Sequence, residues 1–348
     1  MHKQTERKMF LAVLTLASLG PLLVAGHGNM VWPPTWFDKN GDTGLASGGF
    51  MNNDIIMWFS NWTFIPGEAT LDPSLYTVPD YHGDAYMEWQ RAHCLISLGL
   101  DYDVCKAWYP IDPAKNPWMA PGSAPVFSPC GWGGGNPMGC RPQDSQESEE
   151  CQGGGYSFGP DSRDLPWPNT VYTDWERGTR AEVGWGMIAN HGGGYSYRLC
   201  KVVDDHPGDV TEECFQKTPL RFGSENSWVQ YGWDESSRVV FKANRTTVGT
   251  FPSGSEWTMN PIPVCNSNVM GWLDPTCPDG TEFPPRGPGL YGTGEHVETG
   301  GVPDFQWTLM DEVEVPMDIE AGEYVLSFRW DCEATPQIWN SCSNINIV

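Results

Sequence analysis

Basic side chains are scarce in this 348-residue chain. Lys and Arg number 20 against 44 Asp and Glu, a formal net charge of −24. So acidic a surface repels nucleic-acid phosphates and anionic lipid headgroups, which argues against both as partners and leaves neutral polymers open. No two cysteines form a C-x-x-C pair, so a tight structural zinc site is not expected. P-loop and H-E-x-x-H patterns are missing, which removes the support for nucleotide hydrolysis and zinc proteolysis. Acids are plentiful but dispersed, and no pair stands out as the two carboxylates of a glycosidase. Beyond residue 24 no apolar run nears the roughly 20 residues needed to span a bilayer. Long helical patterns are rare as well, since Gly (40) and Pro (30) punctuate the chain.

Aromatic residues are abundant. The 18 Trp, 12 Tyr and 14 Phe exclude disorder, whose signature is low hydrophobicity and few aromatics. Lys3, Arg7 and Lys8 precede an apolar stretch at 9–24, and Val24-Ala25-Gly26 then offers small residues for cleavage. This order predicts a secretory signal peptide at 1–26, with a short membrane anchor as the alternative. The mature protein, 27–348, reads as one domain. All 11 cysteines fall within it, which suits an oxidising compartment and several disulfides, and the odd count leaves at least one thiol over. Sequons at Asn61 and Asn244 predict glycosylation.

Period-2 alternation marks three strands. Val183, Trp185, Met187 and Ala189 share one face of 181–189; Tyr195, Tyr197 and Leu199 oppose Ser196 and Arg198; Tyr324, Leu326, Phe328 and Trp330 alternate with Val325, Ser327, Arg329 and Asp331. Such patterns predict half-buried strands. Weaker candidates lie at 227–231, 237–242, 305–315 and 343–348. Many short strands between Gly/Pro segments predict an all-β antiparallel sandwich. Helical spacing of Tyr86, Trp89, His93 and Ile96 predicts a short helix over 84–98, inserted in a long loop. The stretches 110–170 and 252–300 read as irregular, disulfide-pinned loops.

The histidines carry the chemistry. If cleavage falls after Gly26, His27 becomes the first residue of the mature chain. Its α-amino group, with an ordinary pKa near 8, and its ring Nδ1 can then chelate one metal, which displaces the amine proton. A third imidazole completes a planar nitrogen set, which suits copper by ligand type and geometry. His191 is the candidate, in Asn190-His191-Gly192-Gly193 between two predicted strands, where glycines leave room for a flat surface and a close-approaching ligand. Incidental placement of His27, and a simple turn at 190–193, are the plain alternatives. His82, His93, His206 and His296 sit in less informative settings.

With the terminal His27, the segment Ile188-Ala189-Asn190-His191-Gly192-Gly193 and the stretch QIWNSCSNINI at 337–347, the chain resembles the lytic polysaccharide monooxygenases. The group carrying a chitin-binding type-4 domain, near auxiliary-activity family fifteen, is the most similar. The resemblance spans 27–348, and its specific motifs lie in these three places. It implies an immunoglobulin-like or fibronectin-III-like sandwich with one copper ion in a histidine brace on a flat face. By the same resemblance, His27 supplies two nitrogens and His191 the third. Ala189 matches the small residue crowding the solvent-facing axial position. Gln337 matches an amide that hydrogen-bonds a copper-bound oxygen species. Trp339 stands where the family usually has Tyr or Phe; the indole is larger and lacks a phenol hydroxyl, which alters axial geometry and redox tuning. The implied activity is oxidative cleavage of an insoluble neutral polysaccharide, chitin ahead of cellulose, by a secreted monomer. It needs an external reductant and hydrogen peroxide or dioxygen as co-substrate. Trp32 and Trp36 either stack on sugar rings or pack in the core against Pro33 and Pro34. Two other classes stay open: a non-catalytic carbohydrate-binding module, and a copper protein for storage or delivery.

Overall fold

A computed structural model describes residues 27–36, 59–77, 113–133, 161–164, 171–202, 210–232, 234–264, 277, 280–291, 295–297, 303–305 and 307–348. The expected signal peptide, the helix at 84–98, and His82, His93 and His206 lie outside the described residues.

The fold is an all-β sandwich. One sheet has the order β1 (His27–Trp32), β5 (Arg180–Ala189), β13 (Thr308–Glu314), β7 (Asn226–Tyr231), β8 (Asp234–Lys242). The other runs β3 (Trp132–Gly133), β2 (Phe59–Trp62), β15 (Gln337–Ile347), β14 (Gly322–Asp331), β6 (Gly194–Lys201), β10 (Trp257–Met259), β9 (Arg245–Thr246). β4 (Thr173–Trp175) adds to β15 in parallel, and β11 (Glu295–Val297) pairs with β12 (Pro303–Phe305) apart from both sheets. After β1 the chain crosses between sheets: Thr35 bridges Ser343, and the Trp36 N–H donates to the Cys342 carbonyl.

The three strongly alternating segments are strands β5, β6 and β14. Their expected inner residues, Val183, Trp185, Met187, Tyr195, Tyr197, Leu199, Leu326, Phe328 and Trp330, are wholly buried in one core cluster. Burial of each such side chain contributes about 1.5–3 kcal/mol. The pattern holds because a one-residue slip would turn these large apolar side chains out of the core between the sheets.

The outer face of β6 and β14 departs from expectation. Ser196, Arg198, Val325, Ser327, Arg329 and Asp331 are buried too, so these strands are not half-exposed. The irregular segment 113–133 and a one-turn helix α1 (Glu212–Phe215) cover them, pinned by disulfides Cys130–Cys342 and Cys200–Cys214. Charges are tolerated there because they pair. Arg329 donates to both Asp331 oxygens (2.6 and 3.0 Å) and to Glu212 (3.0 Å), while Arg198 donates to Glu212 and Ser327. The Gly122 N–H also donates to Asp331, at 2.8 Å. Two cations and two anions thus share one dry layer. Among the described residues, Cys332 is the free thiol, and it is buried.

Candidate metal site

The three motif segments meet at one end of the sandwich. Antiparallel pairing of β1 with β5 sets His27 opposite Ala189. Two residues on, His191 opens the turn to β6. The β14–β15 turn then closes over it, as the Glu333 and Ala334 N–H groups donate to the His191 carbonyl at 3.2 and 3.0 Å. Gln337 and Trp339 start β15, with Trp339 directly across from Trp330.

The His191 turn is tightly specified. Asn190 donates to the Ile262 carbonyl (2.8 Å) and accepts from the Gly192 N–H (3.0 Å) and the Asn260 amide (2.9 Å). The Trp330 indole donates to the Gly192 carbonyl at 2.8 Å. The glycines answer to the protein's own chain rather than to a ligand. Gly192 and Gly193 have φ of +62° and +75°, and a Cβ on Gly193 would lie 2.1 Å from the Asp331 carbonyl oxygen. Only glycine meets both demands. The His191 ring is fully buried, where the expectation was an open, flat face.

Gln337 is buried, and its Oε1 accepts from Thr335 at 2.8 Å. Trp339 is a core residue, buried in the same cluster as Cys332. Burial holds that thiol protonated, far above its ordinary range.

The sugar-stacking expectation for Trp36 is overturned. Trp36 is buried among Cys130, Phe215, Val325 and Cys342, and its indole donates to Asn344 at 2.8 Å, so no ring face is available. Trp32 is half-buried against the main core. Asn61 does not fit a glycan carrier either. It is buried, and its Nδ2 donates to the Ser128 carbonyl (2.8 Å) and to Asn340 (2.9 Å). Asn244 is exposed at the end of β8.

Two carboxylates escaped the sequence reading. Glu333, buried beside the His191 turn, accepts from the Thr77 N–H (3.0 Å) and hydroxyl (2.7 Å). Glu282 lies near it. Burial, and then the Glu333 charge, push the Glu282 carboxyl from an ordinary 4.5 up to about 9. Nothing in the local sequence marks either residue, since the pairing joins distant segments.

The Glu282 shift has a measurable sign. The folded protein keeps a proton that the unfolded chain releases above pH 4.5, so this contribution is complete below pH 4.5 and is lost as pH rises towards about 9. Thermal melts across that window are expected to show Tm falling with pH. Glu282→Gln, which cannot ionise, should flatten the fall; an unchanged slope would place the effect elsewhere.

Among the described residues, no three His, Cys, Asp or Glu side chains converge on a metal-sized space, and no helix is long and apolar enough to cross a membrane. A brace needs only two residues. The register between His27 and Ala189 brings His27 beside the His191 turn, and a donor set of one amine and two imidazoles would fit copper.

No protein-family model matches the sequence, and no curated relative does. Among solved structures, similarity is found to a Bacillus amyloliquefaciens CBM33 in complex with Cu(I) (12% identity, 55% of this chain and 63% of that one, TM-score 0.25). A chitin-binding domain from Burkholderia pseudomallei gives 13% identity over 52% and 58%, TM-score 0.24. A catalytic domain of a lytic polysaccharide monooxygenase from Listeria monocytogenes gives 14% over 51% and 60%, TM-score 0.21. The matched part spans less than two thirds of each of these chains.

Proposed function

We propose that this chain is a secreted copper protein that oxidatively cleaves an insoluble neutral polysaccharide, chitin ahead of cellulose. The observation that supports this most is the antiparallel register placing His27 opposite Ala189, two residues before His191. Cutting after Gly26 would free the His27 amino group, which with its ring and the His191 ring makes the brace. Copper held there supplies one-electron chemistry towards dioxygen or hydrogen peroxide once an external donor reduces it.

The chain's own residues set the conditions. The Asn190 bonds fix where His191 stands. Thr335 donates to the Gln337 carbonyl oxygen, and in this reading the amide Nε2 is the donor towards copper-bound oxygen. Trp32, half-buried, is the remaining aromatic for sugar contact, and Asn244 is the glycan carrier.

Burial of the His191 ring favours a second reading, in which the same brace stores or delivers copper without reaching a polymer. One experiment separates the two. Secreted, signal-cleaved protein is loaded with Cu(II) and examined by electron paramagnetic resonance, beside protein carrying one extra residue before His27. The expected result is an axial spectrum with three nitrogens that the extra residue abolishes, followed by oxidised oligosaccharides from chitin with reductant. Copper binding without oxidised sugars supports delivery. Polymer binding indifferent to copper supports a binding module.

A further inference from the structure

The two main sheets each have an edge at one corner of the sandwich, where the chain steps from β8 to β9. The step is Ala243-Asn244, and it is pinned on both sides. The Ala243 N–H donates to the Glu225 carbonyl at 3.0 Å, and the Met259 N–H donates to the Asn244 carbonyl at 2.8 Å. An open recess of 760 Å³ lies here, within the roughly 300–1,000 Å³ of small-molecule sites. Asn244, the exposed asparagine of the second sequon, forms part of its wall. The Asn244 amide Nδ2 has only a weak acceptor beside it, the Met259 sulfur at 3.4 Å. A glycosidic bond at that nitrogen therefore displaces no strong hydrogen bond, unlike one at Asn61, whose Nδ2 is spent on two.

The walls are held in place and carry both signs of charge. Arg245 pairs with the buried Asp311 at 3.1 Å and donates to the Thr258 hydroxyl at 3.2 Å. Asp311 is anchored in turn from the other sheet by the Tyr195 phenol, at 2.7 Å. The Arg245 guanidinium is thus fixed over the Phe222 ring, 4.3 Å from its centroid. Glu256 accepts from the Phe222 N–H at 2.8 Å, which fixes its carboxylate. Arg180 lies over Gly223, where a Cβ would come within 2.9 Å of its side chain. Lys242 and Glu225 stand exposed at the rim, 3.7 Å apart. Three cations and two carboxylates line one recess, a balance that does not select a phosphate or a polyanion. Donors and acceptors in fixed positions suit the hydroxyl and acetamido groups of neutral sugars.

We propose that this recess seats the first N-acetylglucosamine units of the glycan on Asn244, which makes the glycan a fixed part of the sandwich corner rather than a tether in solvent. The inference rests on the reading of Asn244 as the glycan carrier. The corner is a place that needs a cover. Unpaired strand edges invite pairing with other chains, and proteins commonly shield them. Strand β8, nine residues long, ends its sheet, and β9 ends the other. The recess is also remote from the His191 turn. Strand β5 runs from Arg180, in the recess wall, to Ala189, opposite His27; its ten residues at roughly 3.3 Å each put about 30 Å between the two ends. A bulky group seated here leaves the proposed copper end of the sandwich clear.

The test uses protein secreted from cells that attach high-mannose glycans. Mass spectrometry of the Asn244 glycopeptide reads occupancy. An endoglycosidase that cuts between the first two N-acetylglucosamine units then reads whether those units are shielded. Cutting of the folded protein should be slower than that of the denatured protein by at least about ten-fold, because a seated sugar is reached only after its seat opens. Arg180→Ala and Lys242→Ala remove two wall side chains that are themselves more than half exposed, so both variants should fold, as melting curves will show. Each should raise the cutting rate of the folded protein several-fold while leaving that of the denatured protein alone. An occupied Asn244 cut equally fast in folded and denatured protein would overturn the seat and leave the glycan reading intact. Slow cutting that neither variant accelerates would also overturn it, since the shielding would then lie outside the recess. An unoccupied Asn244 would overturn the glycan reading and the seat with it.

Discussion

Asp331→Asn is expected to destabilise the protein by about 3–5 kcal/mol, the cost of stranding a buried charge by removing its partner. Asp331 takes two bonds from Arg329 and one from the Gly122 N–H, and neither Asp331 nor Arg329 has any solvent contact. An asparagine keeps the shape but offers one acceptor oxygen and no charge, so Arg329 keeps at most one of its two bonds there, beside Glu212 and the Ala124 carbonyl. Denaturant unfolding measures the loss, with an unchanged m-value if the fold is intact. Arg329→Met should cost a similar amount, because it leaves Asp331 stranded in turn. The double variant should cost much less than the two added together, a coupling that a double-mutant cycle reads directly. Additive losses would mean that the pair is not acting as a pair. The functional consequence follows from position. Asp331 ends β14 opposite Gly194, and its carbonyl excludes any side chain at Gly193. The turn that bonds the His191 carbonyl begins at the next residue. Loosening Asp331 should therefore lower copper affinity as well as stability.

That network also shows where the sequence was legible. The inner faces of β5, β6 and β14 could be read because a large sheet hides one face and the alternation is uninterrupted. Their outer faces could not. Ser327, Arg329 and Asp331 look like solvent positions, and what buries them is segment 113–133, whose glycines and prolines carry no periodic signal. The disulfide from Cys130 to Cys342, 212 residues apart, ties that layer down, and no spacing rule foretells such a pairing. Trp36 misled for the same reason. Its neighbours in sequence are prolines, while its neighbours in space are Cys130, Phe215 and Val325, brought in from other segments. The turn at His191 was legible from its glycines, which serve chain packing. Glu282 and Glu333 were not, because only tertiary structure sets them together. The partnership of Tyr195 with Asp311 was equally hidden, since it crosses from one sheet to the other.

His191→Ala is expected to weaken Cu(II) binding by more than about 100-fold, since even residues that merely orient a metal's ligands cost about 10–100-fold when lost. Titration calorimetry of signal-cleaved protein measures it, and the resonance spectrum should lose the coupling of one nitrogen. His191→Gln serves as the companion, because it keeps more of the buried volume; it should restore stability without restoring affinity. The competing donor at this end is the Cys332 thiol, next to the turn that bonds His191. Metal binding requires the thiolate. Burial holds Cys332 protonated. Cys332→Ser should therefore leave copper affinity unchanged, whereas His191→Ala and an added residue before His27 should each abolish tight binding. Tight copper retained in His191→Ala would sink the brace and move the metal to another donor set. If all three variants behave as expected, copper is held by the amine of one end of the chain and two imidazoles that the β1–β5 register brings together, and the acidic surface of the molecule plays no part in holding it.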